Sequence, residues 1–279
     1  MEHDYARRSG VVSSHLLLPT PAGSPAREVD EVQQLNHVRR PTGHAGLPPE
    51  DLEAIRQERE KLWNAAELAE KRKDSRTARE WVVALPAELS ASERQALAVE
   101  FGRDLMKRYG VAVDVAIHLP DREGDKRNHH AHVMTTTRTV SRNPETGAVE
   151  LGGKSTIELS DTDRRKLGLG PAAAEVSSVR EGWAGMVNRA LERAGERDRV
   201  DHRSLAAQRA TALDAGDTER AERLDRAPTP HLGPVPSADL RRARRKGEEP
   251  QTDRAQQFVQ VESENRLRDR LRHTWGVIR

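Results

Sequence analysis

The chain has no cysteine among its 279 residues, which excludes disulfides and thiolate metal sites alike. Aromatic residues are almost as scarce, at two Phe, two Tyr and four Trp. That scarcity excludes a ladder of rings on which nucleic-acid bases could stack. Hydrophobic residues make up only 35% against 33% charged, so long helices must carry much of the charge on solvated faces. No apolar run reads as a secretion signal or a membrane span, and a cytoplasmic protein without a membrane partner is expected. Net charge is only +2 although the pI is about 9.0. Arginine carries most of the basic side and is clustered, which matters more for an anionic partner than the total.

Histidine is what the chain does have, concentrated between Asp114 and Arg138 (DVAIHLPDREGDKRNHHAHVMTTTR). His130 and His132 flank Ala131. In a strand, residues two apart share a face, so these two rings project together. Val111 to His118 alternates in the same way, with Val111, Val113, Val115 and Ile117 on one side and Ala112, Asp114, Ala116 and His118 on the other. Ala131 and Val133 continue the apolar side. A hairpin of the two segments, connected by Leu119 to Arg127, brings His118 to His130 and His132. Three neutral imidazoles converging on a point make a divalent-cation site with open positions. The plainer alternative is three solvent-facing histidines on a half-buried hairpin.

IHLPDREGDKRNHHAHVMTTTR also resembles the IH…NPHxH…R signature of MobA/MobL-type relaxases, plasmid mobilisation enzymes of the HUH endonuclease class. DYARRSGVVSSHLLLP, EKLWNAAELAEKRKDSRTARE and VVALPAELSASERQAL are similar to blocks on the upstream side. WAGMVNRALERAGERDRVDHRSLAAQ and the later HLGP are similar to the segment that closes the relaxase domain. Two departures stand out: His129 replaces the Pro of NPHxH, and the loop at Asp121 to Arg127 is longer and more charged.

The resemblance implies an α/β fold with a central antiparallel sheet covered by helices. It implies metal-dependent nicking of single-stranded DNA at an origin of transfer, with other mobilisation proteins as possible partners. The activity is transesterification: a tyrosine hydroxyl attacks the scissile phosphate, leaving a 5′-phosphotyrosyl link and a free 3′-OH. His118, His130 and His132 would hold Mg²⁺ or Mn²⁺, and Asn128 would fix the loop that orients them. Glu80 matches an acidic position near the metal and the nucleophile. Arg138 and the basic run Arg241, Arg242, Arg244, Arg245 and Lys246 would contact phosphates. The family's attacking tyrosine lies in an N-terminal segment that precedes the block matched by DYARRSG. Tyr5 is therefore a substitute nucleophile at best, and the start of the chain reads as truncated. Two alternatives follow: a remnant that binds metal and DNA without cleaving, and a His₃ metallohydrolase that uses metal-bound water.

The expected organisation is a truncated relaxase-like domain over 1–234, with a loop insertion at about 20–47. A basic extension, helical or partly disordered, follows over 235–279. Strands are expected near 11–19, 81–87, 111–118 and 130–138. Helices near 50–76, 91–108 and 178–195 are expected to cover one face, and an unpaired sheet edge is expected from the missing first strand. Ser90 and Glu93 have capping-box spacing, and Gly110 is a helix stop. Asp201 is a candidate cap for a short helix at 200–208. Tyr109 reads as a packing residue, and Lys71 to Arg79 as a basic connection.

Overall fold

The computed structural model describes residues 11–19, 33–35, 49–120, 125–143, 145–146 and 148–276. Tyr5, most of the 20–47 insertion and the 121–124 part of the charged loop lie outside the described residues. The described chain divides into two compact units, residues 1–202 and 203–279.

The first unit is built on a five-stranded antiparallel sheet in the order β2-β1-β4-β5-β3. The strands are β1 (Val11–Leu17), β2 (Gln33–Leu35), β3 (Ala78–Leu85), β4 (Val113–His118) and β5 (His129–Thr136). The hairpin of β4 and β5 forms at the sheet's centre, as the alternation predicts. Val113, Val115, Ile117, Ala131 and Val133 all enter one core, together with Val111. Two helices close that core. They are α2 (Ala91–Tyr109), through Leu97, Phe101 and Leu105, and α4 (Ala172–Arg193), through Val179, Met186, Val187 and Leu191. The capping box forms at Ser90 and Glu93, and Gly110 closes α2 at φ +63°.

The other face is where expectation and structure part. Helix α1 (Pro49–Leu68) does not join α2 and α4 but packs on the opposite side of the sheet. Leu62 meets Leu16 and Ala112, while Trp63 and Ala66 meet Met134. Asp114, which also points to that face, is buried and ion-paired with Arg59 at 2.8 Å. Trp63 Nε1 donates to the same carboxylate at 3.3 Å. A second hairpin, β6 (Arg138–Arg142) with β7 (Val149–Lys154), completes this layer through Val140, Val149 and Leu151.

Several boundaries shift for local reasons. Helix α1 stops at Leu68, eight residues before the expected end, because Lys71 to Arg76 offers no apolar residue to bury. Strand β3 starts at Ala78, whose side chain packs beside Trp63 and Ala66. Helix α4 starts six residues early, at Ala172, directly after Pro171. A short helix, α3 (Asp161–Lys166), precedes it.

In the second unit Ser204, not Asp201, caps a helix, and α5 spans Leu205–Asp214. Helix α6 (Thr218–Leu224) follows. The basic extension expected to be helical or partly disordered forms two helices, α7 (Pro234–Lys246) and α8 (Asp253–Gly276). Leu240, Ala243 and Ala255 are buried there, and Asp239 accepts from the backbone N–H of Gln251 and Thr252, both at 2.8 Å. That carboxylate fixes the turn between the two helices.

Candidate metal centre

Along the histidine face of the sheet Asp114 is buried, while His118, His130 and His132 are half-buried. His118 and His130 are direct cross-strand partners, and His132 pairs with Ala116, one step along the same face. Ring centroids lie 5.3 Å apart for His118 and His130, 4.6 Å for His118 and His132, and 5.4 Å for His130 and His132. One ring nitrogen from each lies within 4.8 Å of those of the other two, an arrangement that could hold a metal ion.

Two of the other ring nitrogens are engaged. His130 Nδ1 is 3.0 Å from the carbonyl of Asn128. His132 Nδ1 is 2.7 Å from Glu80 Oε1. A proton on each Nδ1 satisfies both oxygens and leaves the Nε2 lone pairs for a cation. Glu80 is carried by β3 and brought to His132 by the pairing of Val82 with His132. Val82 lies between the open edge and His132 and is 59% exposed. Among the described residues β3 pairs on one side only.

A family model described as the MobA/MobL family matches residues 1–242. The chain belongs to the MobA/MobL family. It is 31% identical to a mobilization protein MobL of Acidithiobacillus ferridurans, over 86% of this chain and 54% of that one. It is 34% identical to a mobilization protein A of Escherichia coli, over 76% of this chain and 26% of that one. A conjugal transfer protein TraA of Rhizobium radiobacter is 27% identical over 95% of this chain and 21% of its own. The chain therefore spans about half the length of the first of these relatives and about a quarter of the next two. A solved chain from work on the molecular basis of vancomycin resistance transfer in Staphylococcus aureus aligns at TM-score 0.40 and 22% identity. That alignment covers 68% of this chain and 75% of the other.

Arg138 and the basic run at 241–246 are also expected to contact phosphate. Arg138 is 3.0 Å through Nε from Glu70 and 3.1 Å through Nη1 from the Gly152 carbonyl, away from the histidines. Arg241, Arg242, Arg244, Arg245 and Lys246 lie along α7 in the second unit. Arg242 donates to Asp239 at 2.7 Å and Arg244 to Glu262 at 2.9 Å. Tyr109 packs at the end of α2, where its hydroxyl donates to Glu175 at 3.0 Å. Burial, together with that carboxylate, pushes its pKa well above the ordinary tyrosine value. The contact of Asn128 with the histidines is made by its backbone carbonyl, at His130 Nδ1.

Sequence reasoning missed the charged cluster in which Arg138 sits. Glu70 accepts from Lys154 Nζ at 2.6 Å as well as from Arg138. Burial alone would raise the Glu70 pKa, but these two cations outweigh it and hold the carboxyl below its ordinary value. The basic run at Lys71 to Arg79 was the one local signal for this cluster. At the opposite end of β3, a groove of about 720 Å³ runs between Asn128, Pro86 and the α4 residues Trp183 and Val187. Among the described residues no helix is long and apolar enough to cross a membrane.

Proposed function

We propose that this chain carries the metal centre of a mobilisation relaxase and binds and nicks single-stranded DNA at an origin of transfer. The observation that carries the reading is the triad itself. Three imidazoles from one hairpin converge with two of their Nδ1 atoms already spoken for by Asn128 and Glu80. Membership of the MobA/MobL family supplies the substrate class.

The donor set fits a divalent transition ion. Imidazole nitrogen suits Mn²⁺ better than Mg²⁺, which prefers oxygen ligands. Such an ion, when bound, stabilises negative charge on the non-bridging oxygens of a phosphate under attack. His118, His130 and His132 would hold it, with Asn128 and Glu80 keeping the rings of His130 and His132 aimed. In the reaction a tyrosine hydroxyl gives up its proton as its oxygen bonds to phosphorus, the bond to the 3′ oxygen breaks, and that oxygen takes up a proton and leaves as the 3′-OH. Tyr109 is a poor source of the attacking oxygen because Glu175 and burial hold its proton. Tyr5 is then the tyrosine of this chain to test. The α7 arginines add phosphate contacts, and a cytoplasmic setting goes with a DNA substrate.

Incubation with a single-stranded origin oligonucleotide and Mn²⁺, followed by denaturing electrophoresis, tests this. A covalent complex that disappears in Tyr5→Phe and in His130→Ala supports the relaxase reading. Cleavage that survives Tyr5→Phe and leaves no adduct points instead to attack by metal-bound water. Binding of Mn²⁺ and oligonucleotide without any cleavage would mark a binding module. An unaltered protein that takes up no divalent cation would end the reading altogether.

A further inference from the structure

The basic connection between α1 and β3 has no part in the metal centre, yet it borders a cavity of about 490 Å³. Five cations line that cavity against three carboxylates, an excess of two positive charges, and no aromatic ring is among the lining residues. Its floor is a built one. The side chains of Glu70 and Glu158 are only 7% and 6% exposed, and both are ion-paired. Glu70 holds Lys154 and Arg138, and Glu158 holds Arg76 and Arg79. Above this floor stand Lys71, Arg72 and Arg76, all exposed. The pair of Arg72 with Asp74 at 3.0 Å is 79% and 73% exposed, so solvent screens it and an incoming anion can replace it.

The placement relative to the histidines narrows what such an anion is. Ala78 packs on the α1 side of the sheet, and Glu80, two residues on, reaches His132 on that same side. From Arg76 to Glu80 is four residues, about 13 Å of extended chain. The cavity and the triad therefore lie along one edge strand and one face, within reach of a single extended polymer.

We propose that this cavity is a phosphate-binding subsite for the backbone of the same single strand whose scissile phosphate sits at the triad, a few nucleotides away. The inference rests on the reading of the triad as a DNA-nicking metal centre. With no ring to stack a base, the subsite grips the backbone and is indifferent to sequence. Lys71, Arg72 and Arg76 make the contacts. Arg138 and Lys154 keep the floor in place and set the positive potential.

The test is fluorescence anisotropy with a labelled single-stranded oligonucleotide of random sequence, long enough to span both sites, titrated across a salt series. Each lost phosphate contact lowers the slope of log affinity against log salt by about 0.7 for a single strand. The triple variant K71A/R72A/R76A should therefore show a slope smaller by about 2 and weaker binding at low salt, with unchanged Mn²⁺ uptake. Should removal of Arg76 from Glu158 impair folding, K71A/R72A alone should lower the slope by about 1.4. A slope equal to that of the unaltered protein in the folded variant overturns the inference, as does failure of the unaltered protein to bind the oligonucleotide. Mn²⁺ uptake separates the two proposals. If the slope falls as expected but the unaltered protein takes up no Mn²⁺, the metal reading fails and with it the link to a scissile phosphate, and what stands is backbone-phosphate binding at this cavity alone.

Discussion

His15 is a buried imidazole on β1 whose two ring nitrogens find no hydrogen-bond partner among the described residues. Burial, with Arg59 and Arg103 nearby, lowers its pKa from 6.5 to about 4. The unfolded chain therefore takes up a proton first as pH falls. Stability is intact above about pH 6.5 and drains as pH drops toward 4, by about 3 kcal/mol from this group alone. His15→Leu should abolish that part of the acid sensitivity and stabilise the protein by about 1 kcal/mol at neutral pH, since two unsatisfied nitrogens leave the core. Urea unfolding at several pH values between 7 and 4 reads both effects, and parallel profiles for the two proteins would refute them. Glu80 acts at the same scale. It orients His132 without being one of the three converging ligands, so Glu80→Ala should weaken Mn²⁺ binding by about 10- to 100-fold. Titration calorimetry measures that drop, and thermal unfolding without metal should be little changed.

Among the elements, α2 positions the site from behind, because it packs directly on β4. Its approach is closest at Gly102, where an added Cβ would lie 2.9 Å from Leu17 Cδ1 and 3.0 Å from Val115 Cγ2. Gly102→Val should therefore cost about 2 kcal/mol by overpacking. Gly182 in α4 is the contrasting case, since its added Cβ would meet only Arg108 Nη2, at 3.8 Å. Gly182→Ala should stabilise by about 0.5–1 kcal/mol through helix propensity. Chemical denaturation of the two variants should give shifts of opposite sign, and a Gly102→Val protein as stable as the unaltered one would show that the packing of α2 on β4 is not as tight as described. The Ser90 capping box and the left-handed Gly110 show why the ends of this helix were legible in advance. Caps are local, and both residues act within four positions of their own place in the chain.

On the scale of the whole molecule, an ion bound only by the folded chain adds its binding energy to stability. Mn²⁺ at about 100 times its dissociation constant should stabilise the protein by about 2.7 kcal/mol. The double variant His130→Ala/His132→Ala should lose that increment, and calorimetric unfolding with and without Mn²⁺ measures it. The division into units was less legible than the hairpin. Ser204, and not Asp201, caps the first helix after the boundary at 202, and of the two states expected for the basic extension it is the helical one that forms, as α7 and α8. Composition alone undervalues such helices. Their buried surface rests on a few small residues, Ala243 and Ala255 beside Leu240, and on a carboxylate that caps a turn twelve residues away.

Read alone, the amino-acid order was enough to put His118, His130 and His132 on one face. Side chains in a strand alternate with period two, and the valines opposite them demanded a buried side. It was also enough for the family, because motif residues keep their order and spacing along the chain. Tertiary structure alone decided that Glu80, 52 residues from His132, would hold that ring. It likewise put α1 on the histidine face through Trp63 and Asp114, and brought Arg138 and Lys154 to Glu70. Those contacts depend on strand pairing and on which face of a sheet a helix buries. Both are set by the packing of the whole unit, and neither leaves a periodic trace in the chain.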